Sequence, residues 1–364
     1  MRKLHWCLAL LVLVLGLGCS AGASPRNLVV ITDLEPDDRI AIHLLRAAFE
    51  PDEFRFFGTT VMHAGRKAAL VRRLLDQLGM SSVPVYQGTG GNPSDYPDIA
   101  SSRAARMYQR EGRGLLTDAE LAQVTASPPS SGELRTAIGR LLRQSKDIEF
   151  VMLAPPVDLM AVLTETPELA SSIKHIHLMG GWAEAKTPAG PALFTTYNWN
   201  MAPAPSAALL KLKNVPMTLY SSHMIKPSFN GGSINGTNSP QLMALLESLK
   251  AKLPSLVDQE KAGTSWDSHL IEQIPPLANV IGCCIGKQFT PADPIVVVGM
   301  IDPSLITQRR TVDLEMNLDG LDPARGYPVT VRDSPTSNIT LVDRVDPKIF
   351  DAQMIRLMGS LPSR

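Results

Sequence analysis

LVVITDLEPDDRIAIHLLRAA, residues 28 to 48, changes its hydrophobic period halfway along. Four apolar residues, Leu28 to Ile31, run into Thr32 and then into Asp33, Glu35, Asp37 and Asp38. An unbroken apolar run of this kind fits a strand buried on both faces of a parallel sheet. After Asp38 the residues Ala41, Leu44, Leu45 and Ala48 fall at i, i+3, i+4 and i+7, which is one face of a helix. The acids therefore sit on a strand-to-helix turn at the carboxyl end of a strand, where open α/β sheets bind ligands. Carboxylates packed so closely repel one another, and the helix amino terminus behind them supplies only about half a positive charge. A bound divalent cation is the natural balance. Oxygen ligands alone, with no His or Cys in the turn, favour a hard ion over zinc. The plainer alternative is helix capping, in which Asp37 or Asp38 accepts from free backbone amides.

The alternation continues outward. Residues 54 to 62, FRFFGTTVM, read as a strand, and Ala68, Leu70, Val71, Leu74, Leu75 and Leu78 as the face of a helix that Gly79 ends. Val83 to Tyr86, IEFVMLA from Ile148, HIHLMGG from His175 and VPMTLYS from Val215 read as further strands, with a helix from Pro155 to Ile173. Another helix is expected over 241 to 253, while 88 to 132 breaks the rhythm as a lid or a decoration carrying two short helices. TVDLEM and YPVTVRD close the chain as a small strand pair, followed by a helix in DPKIFDAQMIRLMGSL. The expected class is α/β: a mostly parallel central sheet flanked by helices, with a small C-terminal strand and helix elaboration.

Three blocks resemble the inosine-uridine nucleoside hydrolase family. ITDLEPDDRIAI is similar to the family's calcium-holding turn, DxDPGxDDA, with Asp33, Asp37 and Asp38 on its second, third and fourth acids. Ile31 falls on the first acid, and Leu34-Glu35 on Pro-Gly, so Glu35 replaces a glycine suited to unusual backbone angles. The block from Leu153 through Pro167-Glu168-Leu169 to Met179-Gly180-Gly181 resembles LxATGPLTNxA, PELA and MGG. FTPADPIVVVGMIDP resembles LHDPLAVAxxxDP, which places Asp293 on a metal ligand and implies a helix where IVVVGM alone suggests a strand. TTYNWNMAPA is similar to EFNIxxDPEA, so Asn198 matches a sugar-binding Asn while Thr196 and Ala202 replace acids.

The resemblance implies a calcium ion held by Asp33, Asp38, Asp293 and the Leu153 carbonyl, with Asp37 and Asn198 positioning sugar hydroxyls. Asp33 would take the proton of a water activated by the ion and attacking the anomeric carbon of a nucleoside or related riboside. His63 stands near the place of a missing sugar-contacting amide, and Trp199 is a candidate pocket residue or a buried structural aromatic. Asp158, in place of the motif's Asn, reads as a helix cap. Ala292 occupies the position where many members carry a His that protonates the departing base, so leaving-group activation has to come from elsewhere or be weak.

The amino terminus, with Arg2, Lys3, an apolar stretch from Leu8 to Leu17 and Ala21-Gly22-Ala23, reads as a secretory signal over residues 1 to 23, leaving 24 to 364 as one hydrolase-like domain. Cleavage after Ala23 competes with lipidation at Cys19; either implies a periplasmic or secreted protein. The signal holds two basic and no acidic residues, so 35 Lys+Arg against 35 Asp+Glu becomes 33 against 35. A near-neutral surface gives no case for a nucleic acid or an anionic membrane as partner. Only the adjacent Cys283 and Cys284 remain, which cannot staple distant segments. Asn235 and Asn338 begin glycosylation triplets. Whether the chain forms a homo-oligomer stays open. Two other readings remain: a non-catalytic nucleoside- or carbohydrate-binding protein that keeps the metal pocket, and a phosphohydrolase with Asp33 as nucleophile, for which Glu35 is a poor second acid.

Overall fold

The apolar run at Leu28 becomes an interior strand of a wide sheet. The computed structural model describes residues 25–61, 64–89, 133–229, 292–322 and 325–360. In chain order its first half comprises β1 (Asn27–Thr32), α1 (Pro36–Ala48), β2 (Phe54–Thr59), α2 (Ala64–Gln77), β3 (Val85–Gln87), α3 (Leu134–Gln144), β4 (Ile148–Met152), α4 (Val157–Glu165) and β5 (Ile173–Gly180). There follow β6 (Trp182–Thr187), β7 (Gly190–Thr195), α5 (Tyr197–Met201), α6 (Pro203–Leu209), β8 (Met217–Ser221) and α7 (Ser222–Phe229). The last part holds α8 (Ala292–Ile301), β9 (Ile306–Met316), β10 (Val329–Asp333), β11 (Ile339–Val345) and α9 (Pro347–Gly359).

Nine strands form one sheet in the order β10-β9-β11-β8-β5-β4-β1-β2-β3. The pairings from β11 to β3 are parallel, and β9 runs antiparallel to both β10 and β11. The architecture is the expected α/β one, with the antiparallel strands confined to the C-terminal edge. Each face has its own core. Leu28 and Val30 point into one with α1, α2, α8 and α9, through residues such as Leu44, Val71, Val297 and Phe350. Val29 and Ile31 point into the other with α3, α4 and α6, through Ile138, Leu159 and Leu209. Burial on both faces is why β1 needs four apolar residues in a row.

IVVVGM is helical, as the resemblance implied, and Ile295 to Met300 are all buried, so α8 is apolar all round because it is enclosed all round. The antiparallel hairpin of β6 and β7 matches none of the expected strands. Its WAEAKT and GPALFT are mostly half-buried or exposed and lack a clean alternation of apolar residues. Asn338 is a poor glycosylation acceptor in this fold, because its amide nitrogen donates to the carbonyls of Leu212 (3.0 Å) and Val215 (2.6 Å). Among the described residues no helix is long and apolar enough to cross a membrane. The signal segment, the helix over 241 to 253, the 90 to 132 region, Asn235, Cys283, Cys284 and His63 lie outside the described residues.

Candidate active site

From β1 the chain steps to β2 and β3 on one side, then returns to β4 on the other. The strand order therefore reverses between β1 and β4, and the crevice at their carboxyl ends is where a ligand fits this kind of sheet. The acid-rich turn after β1 opens into that crevice. Thr32 donates its hydroxyl to Asp38, the Leu34 amide donates to Thr32 Oγ1 (2.9 Å) and the Glu35 amide to Asp38 Oδ2 (3.0 Å). Asp38 thus does satisfy a free amide at the start of α1, as the capping alternative has it. The unusual backbone angle falls on Leu34 (φ 53°), not on Glu35, which is extended. Val61, just past β2, is left-handed as well (φ 51°). Each such residue costs roughly 1–2 kcal/mol, and both stand beside the crevice.

Asp293 arrives from far along the chain. It sits in the first turn of α8, which packs on α1, so two helix amino termini and their partial positive charges converge on the cluster. Carboxylate oxygens of Asp37, Asp38 and Asp293 lie within 4.8 Å of one another. Asp33 lies beside them, close enough to be charge-coupled to Asp37, Asp38 and Asp293. All four acids are buried. Burial pushes every one of these carboxyls up, and the neighbouring aspartates add to the rise at Asp37, Asp38 and Asp293. Asp37 reaches about 6. At Asp33 the Lys67 ammonium is the largest opposing influence. Asp33 Oδ2 and Asp293 Oδ1 are buried without a hydrogen-bond partner. Leaving such oxygens unmatched costs free energy, and a hard divalent cation is the ligand that an all-oxygen set with two orphaned atoms fits.

The carboxyl end of β4 supplies Leu153. Its amide donates to Ile31 O (2.9 Å) and its carbonyl accepts from Asn198 Nδ2 (2.8 Å), which leaves that oxygen a second lone pair. A cavity of about 100 Å³ opens here, with Asp33, Glu35, Asp37, Leu153 and Asp293 on its acidic side. Met179, Thr196, Tyr197, Asn198 and Ser222 form the other side, and Ala292 contributes a methyl group. Thr196 Oγ1 and Ser222 Oγ are 3.0 Å apart, and Thr196 also donates to Gly181 O (3.2 Å). The volume is below the roughly 300–1,000 Å³ of pockets that engulf a drug-sized ligand, so the described walls suit a sugar rather than a whole nucleoside.

Of the residues singled out in the sequence, Asp33, Asp37, Asp38, Asp293, Leu153 and Asn198 are brought together. Trp199 is not part of the cavity wall: it is 1 % exposed and packs in the core beside Trp182. The first glycine of MGG explains why it fits, since a Cβ on Gly180 would lie 2.3 Å from Trp199 Nε1; the second makes room elsewhere, a Cβ on Gly181 lying 2.2 Å from Ser221 Oγ. Asp158 caps nothing in its own helix. It accepts instead from Thr60 Oγ1 (3.0 Å), Thr89 Oγ1 (2.7 Å) and the Thr89 amide, tying the ends of β2 and β3 to α4. Ile31, on the position of the motif's first acid, is a core side chain packed on the face of the sheet that carries Val29. Ser222 and Lys67 were not anticipated. Ser222 directly follows a strand end, and Lys67 lies four residues before Val71 on the apolar face of α2, so both signals were present.

A model of the inosine-uridine preferring nucleoside hydrolase family matches residues 28–352. No curated protein sequence is similar enough to match the chain. Among solved structures, a plant nucleoside hydrolase superposes with a TM-score of 0.62 at 16 % identity, over 92 % of this chain and 99 % of its own. A purine-preferring ribonucleoside hydrolase from Gardnerella vaginalis gives 0.59 at 18 %, over 92 % and 99 %. The type III effector XopQ, solved with adenosine diphosphate ribose, gives 0.62 at 18 %, over 93 % and 95 %. At these identities the superpositions show a shared fold.

Proposed function

Because the chain belongs to the inosine-uridine preferring nucleoside hydrolase family and is thereby a hydrolase of N-glycosyl bonds, we propose that it cleaves a nucleoside or related riboside in a calcium-dependent reaction with Asp33 as base. The observation that carries this reading is the convergence of Asp37 and Asp38 with the distant Asp293, around a cavity that Asp33 and Asn198 also line. Asp38, Asp293, Asp33 and the Leu153 carbonyl would hold the cation, with Asp37 close enough to join them. When bound, the cation supplies a Lewis acid that orients a sugar diol and eases deprotonation of water.

The chain's own groups do the rest. Asp33 Oδ2, buried and without a partner, accepts the proton of the attacking water. Asp37 and the Asn198 amide orient the sugar hydroxyls across the cavity. As the anomeric carbon gains positive charge in an oxocarbenium-like transition state, the surrounding carboxylates stabilise it. Ala292 offers no proton to the leaving base. General acid catalysis typically contributes 10²–10⁴-fold, so a leaving group that departs as a stable anion is expected to do best.

Turnover of a nitrophenyl riboside and of inosine, each with calcium and with chelator, tests the reading. The nitrophenyl riboside should be cleaved faster by about two orders of magnitude or more, chelation should stop both reactions, and Asp33→Ala should abolish them. Calorimetry showing tight nucleoside binding by a protein that cleaves neither compound would replace this reading with a non-catalytic binding role.

A further inference from the structure

Lys67 is a charged side chain that the reaction above does not use, and it is 2 % exposed. Backbone geometry sets its place. Thr59 pairs with Thr32 across β2 and β1, the Thr60 amide donates to Thr32 O (3.3 Å), and Thr59 Oγ1 donates to Ala64 O (2.7 Å). These bonds hold the first turn of α2, which carries Lys67, against the carboxyl end of β1, one residue from Asp33. A lysine is rarely buried unless a negative charge compensates it. Its charge reaches Asp33, where it is the strongest influence opposing burial of the carboxylate.

We propose that Lys67 is a built-in counter-charge of the acid cluster, which holds Asp33 in place before the cation arrives and sets how tightly the cation is bound. The proposal rests on the metal site of the preceding section. Four buried aspartates offer more negative charge than a divalent ion can neutralise, and Lys67 removes one unit of the excess. The same ammonium repels an incoming cation. It therefore stabilises the cation-free protein and weakens the site, two effects that a purely space-filling residue would not produce together.

Calcium titration calorimetry on folded, chelator-stripped protein reads both effects. Lys67→Met should bind calcium about tenfold or more tightly, because a like charge has left the site, while Lys67→Arg stays near the unaltered affinity. The melting temperature of Lys67→Met should fall in chelator and recover in calcium, widening the gap between the two conditions. Lys67→Gln, which keeps a polar head, serves if the methionine variant does not fold. Unchanged or weaker calcium binding by a folded Lys67→Met or Lys67→Gln protein overturns the proposal, as does an equal loss of melting temperature in both conditions. If the unaltered protein binds no calcium, the metal site itself is wrong and this proposal falls with it; if it binds calcium and the Lys67 variants bind alike, only the counter-charge role is lost.

Discussion

At the carboxyl ends of β1 and β4, four buried aspartates cluster, three of them lining a cavity, and two of their oxygens have no partner. Toward the amino ends of β4 and β5 a single buried acid, Glu149, is flanked by the cations Arg26 and Lys174, with His177 beside it. Arg26 forms an ion pair with it, Lys174 Nζ lies 3.0 Å from Oε1, and His177 Nε2, on an imidazole whose pKa burial pushes down, lies 3.7 Å from Oε2. The pKa shifts have opposite signs. Burial would raise Glu149, but His177, Arg26 and Lys174 together hold its carboxyl well below the ordinary range. Burial raises the four aspartates, and their mutual repulsion raises three of them further. One end of the sheet has its charge balanced by the protein; the other keeps an excess that a ligand has to balance. Burial of acids alone does not mark a functional site. Burial without enough protein cations does.

The largest break in this contrast should come from Asp37. Its folded pKa of about 6 lies above the ordinary 3.8, so in chelated protein the folded state binds the proton more tightly than the unfolded state does. Its contribution is fully favourable below pH 3.8 and is lost as the pH rises through about 6. Asp37→Asn should therefore stabilise the chelated protein by about 3 kcal/mol at pH 7.5 and by little at pH 4, while weakening calcium binding. Urea denaturation in chelator at the two pH values measures it. A variant less stable than the parent at pH 7.5 would mean that Asp37 is already balanced.

Glu149→Gln should act in the opposite direction. A carboxyl with a depressed folded pKa contributes stability above its unfolded value, 4.5, and loses that contribution as the pH falls below it. Charge-assisted hydrogen bonds contribute roughly 1.5–3 kcal/mol, so the loss at pH 7 should be about 2 kcal/mol and should shrink below pH 4.5. Riboside hydrolysis should not change, since the strands separate Glu149 from the cavity. Equal stability of parent and variant at pH 7 would show that the ring of cations contributes nothing.

Sequence and structure agree most where the physics is local. The apolar run at Leu28, the change of period at Asp38 and the strand-end position of Asp33 follow from periodicity, and the mostly parallel sheet flanked by helices that this alternation implies is the one observed. Asp293 could be joined to Asp33 only through the family resemblance, since nothing local in ADPIVVV states which distant turn it meets. Trp199 was ambiguous for the same reason: an aromatic after Asn198 fits a cavity wall or a core equally well, until Gly180 at the end of β5 is seen to make room for it. The Glu149 ring escaped notice altogether. Arg26 just precedes β1, Glu149 lies on β4 and Lys174 and His177 on β5, and only the register of these strands makes them neighbours.

The smallest expected effect tests how the balanced end shares its work. Lys174 is 57 % exposed at its side chain, whereas Arg26 is 25 % exposed. The Arg26 guanidinium also lies 5.3 Å over the Phe49 ring, and its amide donates to Glu53 Oε1 (3.1 Å). A half-exposed ammonium keeps most of its hydration and pays rotamer entropy to stay in place, so pairs of this kind contribute between zero and about 1 kcal/mol. Arg26, held on several sides against a nearly dry carboxylate, has less to lose on pairing. Lys174→Met should therefore cost about 0.5 kcal/mol at low salt and still less at high ionic strength, while Arg26→Met should cost more in both. Denaturant titrations of the two variants at low and high salt give the ranking. If Lys174→Met cost as much as Glu149→Gln, the exposed lysine would be the main neutraliser, and balance at this end of the sheet would depend on solvent-facing charge rather than on the buried pair.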